Sequence, residues 1–384
     1  MGAGPAGAVA AAKLARTGFN VFLLEKRHMP SLPVRCGELT ESKEELKKWI
    51  KISDKWIENQ INGFTLTTTL NTTYSKHMPK AALKVNRREF DQHLIDEALD
   101  AGCIYQNHTR VVGLLRGKYG FAGVKVLREK TAGELESDII IGADGVEGRV
   151  GRLAGLRSSC KPNDLYVCLQ AVVSGLKLPR DIIHFYAGPR WVRRGYIWIF
   201  PKSDSLFTVG IAQIAGSRKG LDLKNLLLKF IGEKYPQAKI SSISAGGIPI
   251  TGGIKPMVNK NILLVGDAAH HAHPFSGGGI LNAVKDGVIA GDFIKEYFSK
   301  KAHYPINLNG YEKYWHNNFK KRLFWQKKIR NLFYSFGDND LDKILKSVSS
   351  HIKKKKRDGL NELDLLKAFI LVAPRFISKA RYLF

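Results

Sequence analysis

Apolar and polar residues recur along this chain with two periods, and the changes between them mark out its elements. Residues 20–25 (NVFLLE), 138–142 (DIIIG) and 261–265 (NILLV) are short, nearly continuous apolar runs bounded by Gly, Asp or Asn. Runs of this length and flanking predict strands buried on both faces. Helical spacing takes over elsewhere. In 86–102, Phe90, Leu94 and Ala98 form a stripe, Asn86 is a candidate N-cap and Gly102 a stop. Residues 8–17, 222–235 and 281–298 also read as helices. Residues 111–115 and 123–127 read as strands of a hairpin layer. Between 165 and 215, several short alternating segments (YVCLQAVV, IIHFYAG, GYIWIFP, LFTVGIAQI) predict an antiparallel sheet. Residues 301–384 read as helical and basic.

The segment before the first helix carries chemistry. Residues 2–7 read GAGPAG, a G-x-G-x-x-G, followed by an Ala-rich helix, Gly18 as its stop, and a strand ending in Glu25. Gly2 suits a tight turn, Gly4 a close approach to pyrophosphate, and Gly7 helix-on-sheet packing. Glu25 stands where a dinucleotide-binding fold places its ribose-binding acid. The fingerprint ordinarily follows a strand of about five or six residues. Only Met1 precedes it here, so the reading expects the first strand to be missing, through a late start codon or a truncation.

Composition narrows the field further. The 384 residues are 44% hydrophobic and 25% charged, ordinary globular usage with room for two or three domains. Net charge is +27, which favours an anionic partner. Cys36, Cys103, Cys160 and Cys168 form no CxxC and read as reduced and intracellular. No run of about 18 apolar residues predicts a membrane span, and the N-terminus lacks the basic and apolar regions of a signal peptide.

Three separated pieces, each after a predicted strand, carry a family resemblance: GAGPAG with Glu25, IIGADG at 140–145, and LLVGDAAHHAHPFSGGGILNA at 263–283. Together they resemble FAD-dependent oxidoreductases of the p-hydroxybenzoate hydroxylase type. Within these, Arg35-Cys36-Gly37-Glu38, Arg87-x-x-Phe90-Asp91 and Tyr196-x-Trp198-x-Phe200-Pro201 resemble the geranylgeranyl reductase family, particularly its archaeal members acting on digeranylgeranyl-glycerophospholipids. The resemblance runs from residue 2 to about 300. It implies an α/β fold: a Rossmann-like FAD-binding domain (1–40, 84–164 and 255–300), an antiparallel-sheet substrate domain (41–83 and 165–254), and a helical basic C-terminal region (301–384).

The resemblance also assigns residues. Gly2, Gly4, Ala6, Gly7, Glu25, Cys36, Gly37, Leu39, Arg87, Val111, Asp267, Gly279 and Ile280 would contact FAD, with Asp267 accepting from ribityl hydroxyls. Asp144 would help position the cofactor. Gly277, Gly278 and Gly279 open a helix whose N–H groups suit the negative edge of a reduced flavin. Arg87 fits a phosphate, with Arg88 as the alternative. Cys36, beside Arg35, either orients the flavin, donates a proton to an alkene, or merely packs. Tyr196, Trp198 and Phe200 share one sheet face by period 2, and either wall a polyprenyl cavity or form ordinary core. His270, His271 and His273 fit no zinc or facial-triad spacing, so no metal is expected.

The region 301–384 holds 19 Lys/Arg and 7 Asp/Glu. Tyr311, Trp315, Phe319 and Leu323 recur there at helical spacing, and residues 353–357 read KKKKR. The segment is read either as a contact with anionic membrane or as a solvated face, with no nucleic-acid module. The expected activity is FAD-dependent saturation of isoprenoid double bonds in membrane lipids or their precursors, by a cytoplasmic, peripherally membrane-associated protein. NAD(P)H, ferredoxin or another carrier would supply electrons. A flavin monooxygenase of the same fold, or a non-catalytic lipid-binding remnant, is the alternative.

Overall fold

The computed structural model describes residues 1–203, 205–217, 222–300 and 306–355, with side chains to 350. Two small sheets lie beside the N-terminus, one parallel and one mixed, the latter with Val258–Asn259 antiparallel to Ile262–Leu264. Phe22–Leu24 pairs with Ile104–Gln106, and Ile262–Leu264 with Ile140–Gly142. Met1 and Gly2 bridge them: the Met1 amine donates to the Ile141 carbonyl, Ala143 N–H to the Met1 carbonyl, and Gly2 N–H to the Leu24 carbonyl. The three apolar runs form strands here, as their pattern predicts, because both faces are covered: Leu23, Leu24 and Ile262–Leu264 are at most 4% exposed.

Helix Pro5–Ala15 packs on Ile280–Ser299. A Cβ on Gly287 would stand 2.6 Å from the Ala6 carbonyl oxygen, so that crossing requires glycine. Helix Arg87–Asp100 is capped by Asn86, whose side chain accepts from Arg88 and Glu89 N–H. The hairpin layer gains a third strand, Thr131–Glu136.

The alternating segments build most of an eight-stranded sheet. Its order is 239–249, 165–174, 206–214, 195–201, 182–187, 57–68, 73–85, 39–41. It departs from the expected antiparallel arrangement at one seam, where Ile182–Ala187 runs parallel to Ile57–Thr68. One face carries Ile197, Ile199, Val209 and Ile211 under helix Leu223–Lys234, and the other carries Tyr166, Trp198, Phe200 and Ile214.

Residues 309–333 form one helical rod, with a π-turn over His316–Lys320, and Asp338–Lys355 follows. The stripe Tyr311, Trp315 and Leu323 is buried at 0, 2 and 3% exposure, with Phe319 packed against the same core. It faces inward and cannot be the membrane-facing surface its lysine neighbours suggest. The KKKKR run lies outside the residues whose side chains are described.

Candidate functional site

The glycine-rich turn is built on steric necessity at two of its glycines and on openness at the third. A Cβ on Gly2, at φ +96°, would stand 2.3 Å from the Ala143 carbonyl oxygen, and one on Gly7 would stand 1.9 Å from the Gly2 carbonyl oxygen. A Cβ on Gly4 would meet nothing within 4 Å. The backbone at Gly4, N-cap of helix Pro5–Ala15, is therefore open to a ligand at a helix N-terminus. Glu25 closes the turn: its carboxylate accepts from Ala3 N–H and Arg27 N–H, both at 3.0 Å. Ala6 is buried beneath, and Val111 packs in the core at 8% exposure.

Asp144 and Gly145 lie across from Gly2. Asp144 Oδ2 accepts from Val150 N–H at 2.8 Å, while Oδ1 is buried with no hydrogen-bond partner among the described residues. Burial pushes this carboxyl up, and the backbone donors partly offset it. Asp267 follows the strand Ile262–Leu264, and its Oδ1 would lie 3.3 Å from a Cβ on Gly279. Burial raises its pKa to about 6, against the pull of Arg87 and His271. Gly279 is the N-cap of the helix that Ile280 begins. An open glycine turn, an unpartnered buried carboxylate oxygen and a second desolvated carboxylate beside a helix N-terminus fit a hydroxyl-rich, phosphate-bearing ligand such as FAD.

Helix capping sets which of the two neighbouring arginines points inward. With Asn86 as N-cap, Arg87 turns inward and grips Asp91 through Nε (3.0 Å) and an Nη (2.8 Å), while Arg88 is exposed. Arg87 also lies close enough to Cys36 to interact with it electrostatically. Burial disfavours its charge, but Asp91 and then Cys36 outweigh this and raise its pKa. The cation against Cys36 is thus Arg87, whereas the sequence neighbour Arg35 is exposed.

The Cys36-Gly37 loop rests on the aromatic face. A Cβ on Gly37 would stand 3.0 Å from the Phe200 ring and 3.6 Å from Trp198 Nε1. Tyr196, Trp198 and Phe200 do share that face, joined by Tyr166 and Phe185. The Trp198 indole lies over Gly210 of the neighbouring strand, where a Cβ would clash at 2.1 Å. Tyr196 donates to the Ser276 carbonyl, and Tyr166 to the Phe275 carbonyl at 3.2 Å, so the face reaches the segment leading into Gly277–Gly279.

A buried charge cluster behind this loop escaped the sequence reading. Glu38 sits at φ +59° and 2% exposure, with its Oε2 accepting from Lys84 and from Lys202, each at 2.8 Å. Lys84 also donates to the Gly37 carbonyl at 2.9 Å, and Lys202 pairs with Glu58. Burial pushes the Glu38 carboxyl up, but the two ammoniums more than reverse this and hold it below its ordinary range. Leu39 continues from Glu38 into the edge strand. The sequence signal was faint: Lys84 and Lys202 each adjoin a predicted element boundary, with nothing to show that they converge.

The three histidines diverge. His270 bonds the Ser158 carbonyl and Thr251 hydroxyl. His271 bonds Asp286 and stacks on Trp315 at 3.7 Å, and Asp286 also accepts from Trp315 Nε1 and Gly266 N–H. His273 donates its backbone N–H to the Gly278 carbonyl.

Comparison with known proteins places this geometry. Residues 1–304 match the FAD binding domain family. The chain is 33% identical over 391 residues to a digeranylgeranylglycerophospholipid reductase of Methanothrix thermoacetophila, covering 100% of this chain and 98% of that protein. It is 33% identical over 390 residues to digeranylgeranylglycerophospholipid reductase 1 of Methanococcoides burtonii, covering 100% and 94%. A solved structure described as geranylgeranyl bacteriochlorophyll reductase-like, from Thermoplasma acidophilum, superposes with a TM-score of 0.91 at 27% identity, covering 100% of this chain and 98% of that one. The flavin-dependent brominase Bmp2, at TM-score 0.70 and 15% identity over 99% of this chain and 98% of its own, shares the fold alone.

Proposed function

This chain belongs to the FAD binding domain family and, within it, to the digeranylgeranylglycerophospholipid reductases, and from that premise we propose that it saturates isoprenoid double bonds in the geranylgeranyl chains of a glycerophospholipid. The observation that carries this reading is the Cys36-Gly37 loop, pressed between an apolar aromatic face and the Arg87–Asp267 end of the cofactor site. FAD, when bound there, would supply the reducing equivalents for alkene saturation.

The chain's own groups do the rest. The Gly2–Gly7 turn and the N-terminus of helix Pro5–Ala15 would hold the pyrophosphate, Glu25 the ribose, and Asp267 the ribityl hydroxyls. Gly279 and Ile280, at the N-terminus of helix Ile280–Ser299, would contact the flavin. Arg87, locked on Asp91, sets a positive charge near the Cys36 sulfur, which accepts from Glu38 N–H at 3.2 Å. The Cys36 thiol delivers the proton to the second alkene carbon, and Tyr196, Trp198 and Phe200 keep water from the polyprenyl chain.

The lipid is met at a bilayer surface. No helix among the described residues is long and apolar enough to cross a membrane. The rod at 309–333 instead exposes Tyr314 (49%), Phe324 (49%) and Trp325 (38%) among exposed Lys313, Lys320, Lys321 and Arg322, a pattern suited to anionic headgroups. Product mass tests the chemistry. Each reduced bond adds about 2 Da, whereas oxygen insertion adds about 16 Da and would refute it. Cys36→Ala should keep FAD bound and slow turnover by about 10²-fold or more. Unchanged turnover removes Cys36 from the reaction.

A further inference from the structure

An open cavity of about 590 Å³ lies between the 188–194 loop and the 334–338 segment, lined by Arg190, Arg193, Arg194, Tyr334 and Asp338 among others. Three arginines and one carboxylate line it. That carboxylate is already engaged, because Asp338 accepts from the Thr69 hydroxyl and from Arg190 N–H. No carboxylate within salt-bridge distance of Arg190, Arg193 or Arg194 is found among the described residues. Arg194 donates instead to the Asn163 side chain at 3.1 Å.

Hydrogen bonds to its carbonyls hold the backbone at Arg193 and Arg194. The Arg193 carbonyl accepts from the Gln213 side chain at 2.8 Å, the Arg194 carbonyl accepts from Ile214 N–H at 3.1 Å, and Arg194 is held at φ +52°. Arg190 and Arg193 are nevertheless exposed, with their heads in water rather than packed. Guanidiniums without a carboxylate partner, carried on a held backbone around a concave surface, are suited to a phosphate group, which they match by paired donors.

Position supplies the second argument. Tyr334, in the cavity wall, shares a 2.6 Å hydroxyl contact with Tyr166, and Tyr166 belongs to the aromatic face that ends on the Cys36-Gly37 loop. A molecule with its phosphate at the arginines thus begins one tyrosine pair away from the apolar wall.

We propose that Arg190, Arg193 and Arg194 form a phosphate subsite that takes the polar end of the lipid substrate, with the polyprenyl chains leading off along the aromatic face. The assignment rests on the reductase reading above, and two kinds of measurement separate them. The first is kinetic, on holoenzyme with detergent-dispersed substrates. Arg190→Gln/Arg193→Gln should raise KM for the glycerophospholipid about tenfold or more while leaving kcat within about twofold, and leave KM for a phosphate-free geranylgeranyl alcohol unchanged.

The second is calorimetric and needs no turnover: glycerol 1-phosphate and inorganic phosphate should bind the wild type and lose at least fivefold in affinity in the double variant. Equal losses on charged and uncharged substrates would overturn the subsite. So would phosphate binding that weakens in the variant while the phospholipid KM stays put, since the cleft would then hold free phosphate only. Absence of any phosphate effect overturns it as well. A protein that reduces no substrate but shows the calorimetric difference would overturn the reductase reading and keep the phosphate site.

Discussion

Replacing Lys84 by Met removes one arm of the Lys84–Glu38–Lys202 cluster at nearly constant volume. Lys84 is fully buried, and its ammonium bridges the Glu38 carboxylate and the Gly37 carbonyl. Breaking a buried pair by removing one partner costs about 3–5 kcal/mol. Lys202 remains on Glu38, so the lower end, about 3 kcal/mol, is expected. For a chain of 384 residues the unfolding entropy is about 0.8 kcal/mol/K, giving a Tm loss of about 4 °C. Glu38→Gln should cost a similar amount, because it leaves Lys84 and Lys202 facing each other without a carboxylate between them. The double variant Lys84→Met/Glu38→Gln should then lose far less than the sum, with a coupling of about 2 kcal/mol. Urea titration of the four proteins measures it. Additivity within about 0.5 kcal/mol would show that the pair does not act as a unit, and would refute the argument that it anchors the Gly37 loop.

Two further outcomes follow from the cofactor site. Gly7→Ala drives a methyl into the Gly2 carbonyl and should destabilise the fold by several kcal/mol, whereas Gly4→Ala should leave Tm unchanged and weaken FAD retention about tenfold; equal melting losses in both would contradict the open space at Gly4. Because burial raises the Asp267 pKa to about 6, and a ligand hydroxyl donating to it favours the ionised form, FAD affinity should climb as pH rises through about 6 and level off above about 7. Asp267→Asn should flatten that climb in a fluorescence titration, and a pH profile shared by wild type and variant would exclude the carboxylate as its source.

Much of this fold was readable because its signals are local. The buried strands announce themselves as apolar runs. Helix Arg87–Asp100 begins one residue after the Asn86 that caps it, and the cap then decides that Arg87 rather than Arg88 faces the site. Period 2 correctly put Tyr196, Trp198 and Phe200 on one face, since alternation needs no knowledge of the partner strand. The parallel seam between Ile182–Ala187 and Ile57–Thr68 was not readable, because pairing across more than a hundred residues leaves no trace in either strand's own pattern.

The C-terminal rod shows why an amphipathic pattern alone does not name its partner. Helical spacing correctly grouped Tyr311, Trp315, Phe319 and Leu323, but a stripe that buries against the core and one that enters a membrane obey the same period. The discriminating feature was polar: Asp286, seven residues into helix Ile280–Ser299, offers an oxygen to Trp315 Nε1, and Arg330 on the same inward side donates to the carbonyls of Ile250 and Pro274. Burying the Trp315 indole is favoured by this acceptor, which Trp49, Trp56 and Trp198 lack among the described residues. The side of the rod with no such anchors carries Phe324, Trp325 and four exposed basic residues, the surface on which the proposed bilayer contact rests.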